Sequence, residues 1–305
     1  MRSSDQGHLA LVGTTASGKS QLALELARRD PTIELVSVDS MQVYRGMDIG
    51  TAKPTPAEQA EVRHHLIDLA DPWEDFTVTR FQAAFRAALA DIEARGRRAL
   101  LVGGTGLYLR AVVDDLTIPG RFPDARAELE AEADTAALFR RLEELDPLAA
   151  TRMEPTNRRR IVRALEVSLG SGQPFSSFGP GLETYPPSRF QLLGIELPAD
   201  TVAARIAARY AEQLAAGFVE EVRRLAAEPR GLSPTARQAL GYRELLAHVE
   251  EGADLDEMVA LAVTRTRKFA RRQRAWFRRD PRIEWFPADD PRELLDSMVS
   301  RLPRS

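Results

Sequence analysis

The chain has 305 residues, 44% of them hydrophobic, which suits one large α/β domain or a core with a smaller domain and excludes wholesale disorder. It has no cysteine, so disulfide scaffolds, cysteine-ligated zinc and thiol nucleophiles are out. Lysine plus arginine total 42 against 45 acidic residues, a net charge of −3, so no uniformly basic nucleic-acid coat exists. Only Lys19, Lys53 and Lys268 are lysines; the other cations are arginines, as GC-rich codons alone would produce. No apolar run approaches the ~20 residues that cross a bilayer. The N-terminal MRSSDQGHLALVG has too short an apolar run for a signal peptide. The expectation is a soluble cytoplasmic protein without membrane contact.

In chain order, HLALVG (8–13) reads as a buried strand. Residues 18–29 read as a helix and IELVSVDS (33–40) as a second strand. Phe81, Phe85, Leu89 and Ile92 give helical spacing over 77–95, with Gly96 as a C-terminal stop. RALLVGG (98–104) is a third strand. Near-continuous apolar strands alternating with helices predict a parallel sheet covered on both faces.

From about residue 120 the pattern becomes purely helical. Residues 170–188 then hold four Gly, four Pro and four Ser in nineteen positions, a loop or hinge. FQLLGIEL (190–197) restores a strand, followed by helices at 199–216, 234–250 and 254–279 and a last strand at 283–286. The predicted organisation is a core of 1–119 and 189–305 interrupted by an all-α insertion, 120–188.

Gly13-Thr14-Thr15-Ala16-Ser17-Gly18-Lys19-Ser20 fits G-x-x-x-x-G-K-[ST], between a strand and a helix. Such a loop turns backbone N–H groups and a helix N-terminus toward a di- or triphosphate. Lys19 adds a point charge, and the Ser20 hydroxyl can ligate Mg²⁺. The fold class is therefore α/β, a P-loop NTPase-like parallel sheet flanked by helices, with the all-α insertion. The third strand ends in Val102-Gly103-Gly104-Thr105, without the acid that a hydrolytic ATPase uses for Mg²⁺ and water. Group transfer to a second substrate fits better than hydrolysis.

Asp39 follows the second strand and should face the ligand crevice at the carboxyl ends of the sheet. It either accepts a proton or holds Mg²⁺ through water, or it merely caps the next turn; position alone leaves these open. Arg205 and Arg209 share a helix face. Arg152, Arg158, Arg159, Arg160 and Arg163 cluster in the insertion. Residues 265–279 carry eight basic residues in fifteen, interleaved with Phe269, Trp276 and Phe277, which suits RNA or a plain solvated helix face. His64 and His65 are adjacent and read as ordinary polar residues rather than a metal pair.

The phosphate loop, DSMQVYRGMDIGTAKP (39–54), HHLIDLADP (64–72), LLVGGTGLYLRA (100–111), NRRRIVRALEV (157–167) and RQALGYRE (237–244) together resemble the bacterial tRNA dimethylallyltransferases over nearly the whole chain. Thr14 stands where many members have proline. The resemblance implies transfer of a dimethylallyl group from its diphosphate to the N6 amine of the adenosine just 3′ of the anticodon, position 37, in tRNAs reading U-initial codons. Pyrophosphate would leave, with Mg²⁺ at Ser20 as the cofactor. The partners implied are dimethylallyl diphosphate and the tRNA anticodon stem-loop, with no obligate protein partner.

By resemblance, Arg209 and Arg205 face the diphosphate, Asp39 is the base, and Thr105 lies near the reacting centre. Ser40, Met41 and Gln42 match residues that hold the extruded adenine. Arg126, Arg159, Arg160, Arg163, Arg237, Gln238, Gly241, Tyr242 and Arg243 match tRNA-contacting positions, the insertion acting as a clamp. Two readings compete: a P-loop small-molecule or nucleotide kinase that binds ATP, and a nucleotide-gated RNA-binding module without chemistry.

Overall fold

The computed structural model describes residues 7–289 and 294–299; the first six residues, part of the stretch read above for a leader, lie outside the described residues. The first half runs β1 (His8–Gly13), α1 (Lys19–Arg29), β2 (Ile33–Val38), α2 (Pro56–Glu61), β3 (His64–His65), α3 (Val78–Ala94), β4 (Arg98–Gly103) and α4 (Gly106–Val113). Four helices follow: α5 (Pro123–Ala131), α6 (Thr135–Leu145), α7 (Pro147–Thr151) and α8 (Arg158–Ser171). The chain then returns through β5 (Phe190–Glu196), α9 (Ala199–Ala215), α10 (Phe218–Ala226), α11 (Tyr242–Glu251), α12 (Leu255–Phe277), β6 (Glu284–Pro287) and α13 (Leu295–Val299).

The six strands form one sheet in the order β3-β2-β4-β1-β5-β6, and every neighbouring pair is parallel. β1, β2 and the first four residues of β4 are buried throughout. That is why they read as unbroken apolar runs rather than alternating ones. Helix α1 packs on β2 and β4, α3 on β4, and α12 on β1. In α3, Phe81, Phe85, Leu89 and Ile92 are the buried stripe, spaced as an amphipathic helix requires.

The chain divides into two compact units: residues to Asp114 together with those from Pro187 onward, and Asp115–Pro186. The second unit is helical and has its own small core of Leu129, Leu138, Leu142, Ile161 and Leu165.

Three local expectations change. The predicted 234–250 helix begins only at Tyr242, preceded by a short 3-10 turn at Ala236–Gln238. Gly241, at φ +84°, breaks the run, because its backbone sits where α-helical torsions cannot. Helix α10 had no counterpart in the sequence reading; Phe218, Val222 and Leu225 give it a buried face over little more than two turns. Within 170–188, a 3-10 turn spans Phe175–Phe178.

Candidate active site

Three strand ends converge here, since β4 lies between β1 and β2 in the sheet. At the end of β1, Gly13 opens the phosphate loop, and Lys19 begins α1. Ala16 at φ +61° and Gly18 at φ +85° both sit in the left-handed region. Glycine adopts that region freely; at Ala16 it costs of order 1 kcal/mol. The loop is held by its neighbours: Arg205 Nε donates to Ala16 O at 3.0 Å, and Thr15 N–H donates to Gln273 Oε1 at 2.8 Å. Lys19 Nζ donates back to Thr14 O at 2.7 Å.

The electrostatics are those of a site prepared for an anion. Lys19 is buried, and desolvation pulls its ammonium down to about 8; Arg209 adds to this, while Asp39 opposes it. Burial likewise works against the charge on Arg209, with Asp39 again on the opposing side. Arg209 Nε and Ser17 Oγ are buried with no hydrogen-bond partner. Unsatisfied buried donors are costly, and two beside a desolvated ammonium call for an anionic ligand.

At the end of β2, Asp39 Oδ1 accepts from Met41 N–H at 2.8 Å and from Gln42 N–H at 3.4 Å. The capping role is therefore present: Oδ1 holds the turn that follows β2. At the end of β4, Thr105 Oγ1 accepts from Ser40 N–H at 3.2 Å and lies 3.4 Å from Ser40 Oγ. Thr105 and Asp39 are thus joined through Ser40.

The 39–54 segment is a loop fixed from beneath. Gln42 is buried; its carbonyl accepts from Ser37 Oγ at 2.8 Å, and Nε2 donates to Thr51 O and Ala52 O, both at 3.1 Å. The Gln42 side-chain amide is thus committed to the loop. Lys53 is likewise structural, bonded to Asp48 (2.5 Å), Asp68 (2.7 Å) and Tyr44 O (2.8 Å). Glu221, buried on α10, accepts the N–H groups of Asp48, Ile49 and Gly50 at 2.9–3.2 Å and the Tyr242 hydroxyl at 2.5 Å.

Tyr242 is fully buried, and its desolvated hydroxyl is held well above its ordinary value. Its side chain supports the 39–54 segment from inside, through Glu221. Arg237 pairs with Glu250, Arg243 donates to Gln238 Oε1 at 3.2 Å, and Gly241 N–H donates to Glu244 at 2.9 Å. Arg237, Gln238, Arg243 and Arg265 line one open cavity of about 340 Å³.

In the second unit, Arg159 and Arg160 are exposed near the start of α8. Arg126 and Arg163 instead converge on Glu166 at 3.3 and 2.7 Å. Glu166, 1% exposed, also accepts Phe122 N–H at 2.9 Å. His65 bonds Glu34 at 2.7 Å, in keeping with an ordinary polar role.

Sequence reasoning missed Gln273, Glu221 and Gln213, whose Nε2 donates to Ile49 O at 2.6 Å and Gly50 O at 3.2 Å. Each is a polar residue on a largely apolar buried helix stripe. That pattern was the available signal, because a buried polar group must have a partner somewhere.

Among the described residues no cluster of three or more His, Asp or Glu could hold a metal. Ser20, exposed in the first turn of α1, is the loop hydroxyl that could ligate a magnesium ion keeping mostly water and phosphate oxygens. No helix among the described residues is long and apolar enough to cross a membrane.

The family model for IPP transferases matches residues 42–280. The tRNA dimethylallyltransferase of Kineococcus radiotolerans is 49% identical, over 94% of this chain and 93% of that protein. The one from Roseiflexus castenholzii is 50% identical, over 93% of each. The crystal structure of the tRNA isopentenylpyrophosphate transferase from Bacillus halodurans is 35% identical, covers 97% of this chain and 95% of that one, and has a TM-score of 0.71. The family model covers well over half of the chain, and the chain belongs to the IPP transferase family.

Proposed function

We propose that this protein transfers a dimethylallyl group from dimethylallyl diphosphate to the exocyclic N6 amine of adenosine 37 in tRNA, releasing pyrophosphate. The observation that carries this reading is the pair of desolvated cations, Lys19 and Arg209, set against the carboxylate of Asp39. The cations take the diphosphate, and the carboxylate takes the proton of the attacking amine. Relatives named tRNA dimethylallyltransferase at 44–50% identity speak for the transferase and leave the kinase alternative without support.

In the reaction the C1–O bond of the donor breaks and its electron pair leaves with pyrophosphate. The loop N–H groups, Lys19 and Arg209 stabilise the charge that develops there. The N6 lone pair forms the new C–N bond, and Asp39 Oδ2 accepts the N6 proton. Thr105, bonded to Ser40, holds the reacting centre in register. The Ser20 hydroxyl would hold Mg²⁺, which when bound would supply further neutralisation of the leaving diphosphate. The adenine leaves its stack to react, at a cost of a few kcal/mol. The backbone of Ser40, Met41 and Gln42 receives it, over a loop that Gln42 itself braces.

Arg159 and Arg160 of the helical unit, and Arg237 and Arg243 of the other, contact the phosphates of the anticodon stem-loop. The tRNAs are those reading U-initial codons, and the reaction takes place in the cytoplasm. Incubation with labelled dimethylallyl diphosphate, Mg²⁺ and unmodified tRNA should label the tRNA; no transfer at any enzyme level overturns the proposal. Binding of tRNA without product would mark an RNA-binding module instead. Asp39→Ala should lower turnover by about 10²–10⁴; near-normal turnover removes Asp39 from its role.

A further inference from the structure

Gln273 sits on the buried stripe of α12 with Thr266, Ala270 and Phe277. A neutral amide accepts at one terminal atom and donates at the other without carrying charge, so it can bridge two separate partners. Both capacities are in use. Oε1 accepts Thr15 N–H of the phosphate loop at 2.8 Å, and Nε2 donates to Gly104 O at the end of β4, also at 2.8 Å.

The fit at Gly104 is close: a Cβ there would run into Gln273 Nε2. Three residues along the same helix, the Trp276 ring occupies the place where a Cβ on Gly106 would lie. Thr105 stands between these two glycines. Its backbone is therefore gripped on both sides by residues on consecutive turns of α12. Thr105 Oγ1 in turn holds Ser40 N–H at 3.2 Å, next to Asp39.

We propose that Gln273 is a positioning residue that sets the distance between the diphosphate loop and the Thr105 turn, so that the donor's leaving group and the acceptor amine are aligned by one amide. This rests on the transferase reading above. Gln273 acts through Thr105 and the loop backbone and does not touch the reacting atoms. Glutamate in its place would accept from Thr15 but set a carboxylate oxygen against the Gly104 carbonyl. Leucine would do neither, and asparagine is one methylene too short to span both. A misplacement of about 1 Å can cost about 10²-fold in rate.

The test compares Gln273→Glu and Gln273→Leu with the parent in steady-state transfer to tRNA. The expected result is a kcat lowered about 30- to 100-fold with a donor KM within about threefold, because alignment is lost while the anion contacts remain. In a double-mutant cycle with Thr105→Ala, the double variant should be no slower than the slower single variant. A kcat within threefold of the parent overturns the proposal. So does a loss confined to KM, or additive effects in the cycle.

A second measurement needs neither folded variants nor turnover. Hydrogen exchange of the parent, with and without inorganic pyrophosphate and Mg²⁺, should show added protection at residues 104–107 as well as in the phosphate loop. Protection confined to the loop overturns the link. Absence of transfer by the parent would instead count against the transferase reading, and the exchange result would still decide the link.

Discussion

The two ends of the parallel sheet are built to opposite rules. At the amino ends of the strands nearly every buried charge has a partner. His8 bonds Glu93, which also meets Arg189; Arg98 meets Asp30; Glu34 receives both Arg95 and His65. At the carboxyl ends, Lys19 is desolvated, Arg209 Nε and Ser17 Oγ lack partners, and Asp39 uses one oxygen on its own turn. Saturated pairs hold a fold together, whereas unsatisfied donors store an affinity that a ligand realises on binding. One sheet thus separates stability from function along its strands.

Variants at the two ends should separate in the same way. Lys19→Ala at the carboxyl end should lower turnover by about 10³, or about 4 kcal/mol of transition-state stabilisation, with the thermal midpoint unchanged or raised. A folded, active variant would break the contrast. At the amino end, Glu34→Ala removes the acceptor of His65 and one of the two carboxylates paired with Arg95, which keeps Asp91, and should cost about 1–2 kcal/mol of stability, read by denaturant unfolding, with kcat preserved. Loss of turnover beyond the unfolded fraction would show that the two ends are not independent. Arg209→Lys keeps the charge but loses the planar fork and should lower turnover by about 10².

Protonation should sharpen the contrast further. The carboxyls of Glu34 and Asp30 are held below their ordinary values by hydrogen bonds and ion pairs that outweigh their desolvation. Their stabilisation is therefore fully present above the ordinary carboxylate range and lost as pH falls below it, through their lowered folded-state values. Lys19 behaves oppositely. With its ammonium at about 8, an anion beside it favours the charged form, so pyrophosphate binding at pH 8–9 should take up a fraction of a proton. Calorimetry in two buffers of different ionisation enthalpy reads that fraction. Zero uptake would place Lys19 away from the anion.

Much of this was legible in the residues, but unevenly. The phosphate loop could be read because its determinants are contiguous: a strand, a turn that tolerates left-handed torsions, and a helix N-terminus. The unbroken apolar runs identified the parallel strands for a similar reason, since burial on both faces removes polar residues locally. Helix α10 escaped because it is too short for a periodicity to stand out. The Gly241 break was hidden inside a run that looks helical. Tyr242 was placed at the RNA by its neighbours in the motif, yet its ring lies in the core.

The sequence by itself determined the chemistry available: an anion-binding loop, a carboxylate after the second strand, and the arginines on α9. Only the tertiary structure decided how these groups are held to one another. Gln273 meets Thr15 across 258 residues and Glu221 meets Asp48 across 173. A sequence shows that a polar residue occupies an apolar stripe. It does not show which distant backbone group will satisfy it, because that choice is made when the helices dock on the sheet and each buried donor or acceptor must find a partner within about 3 Å.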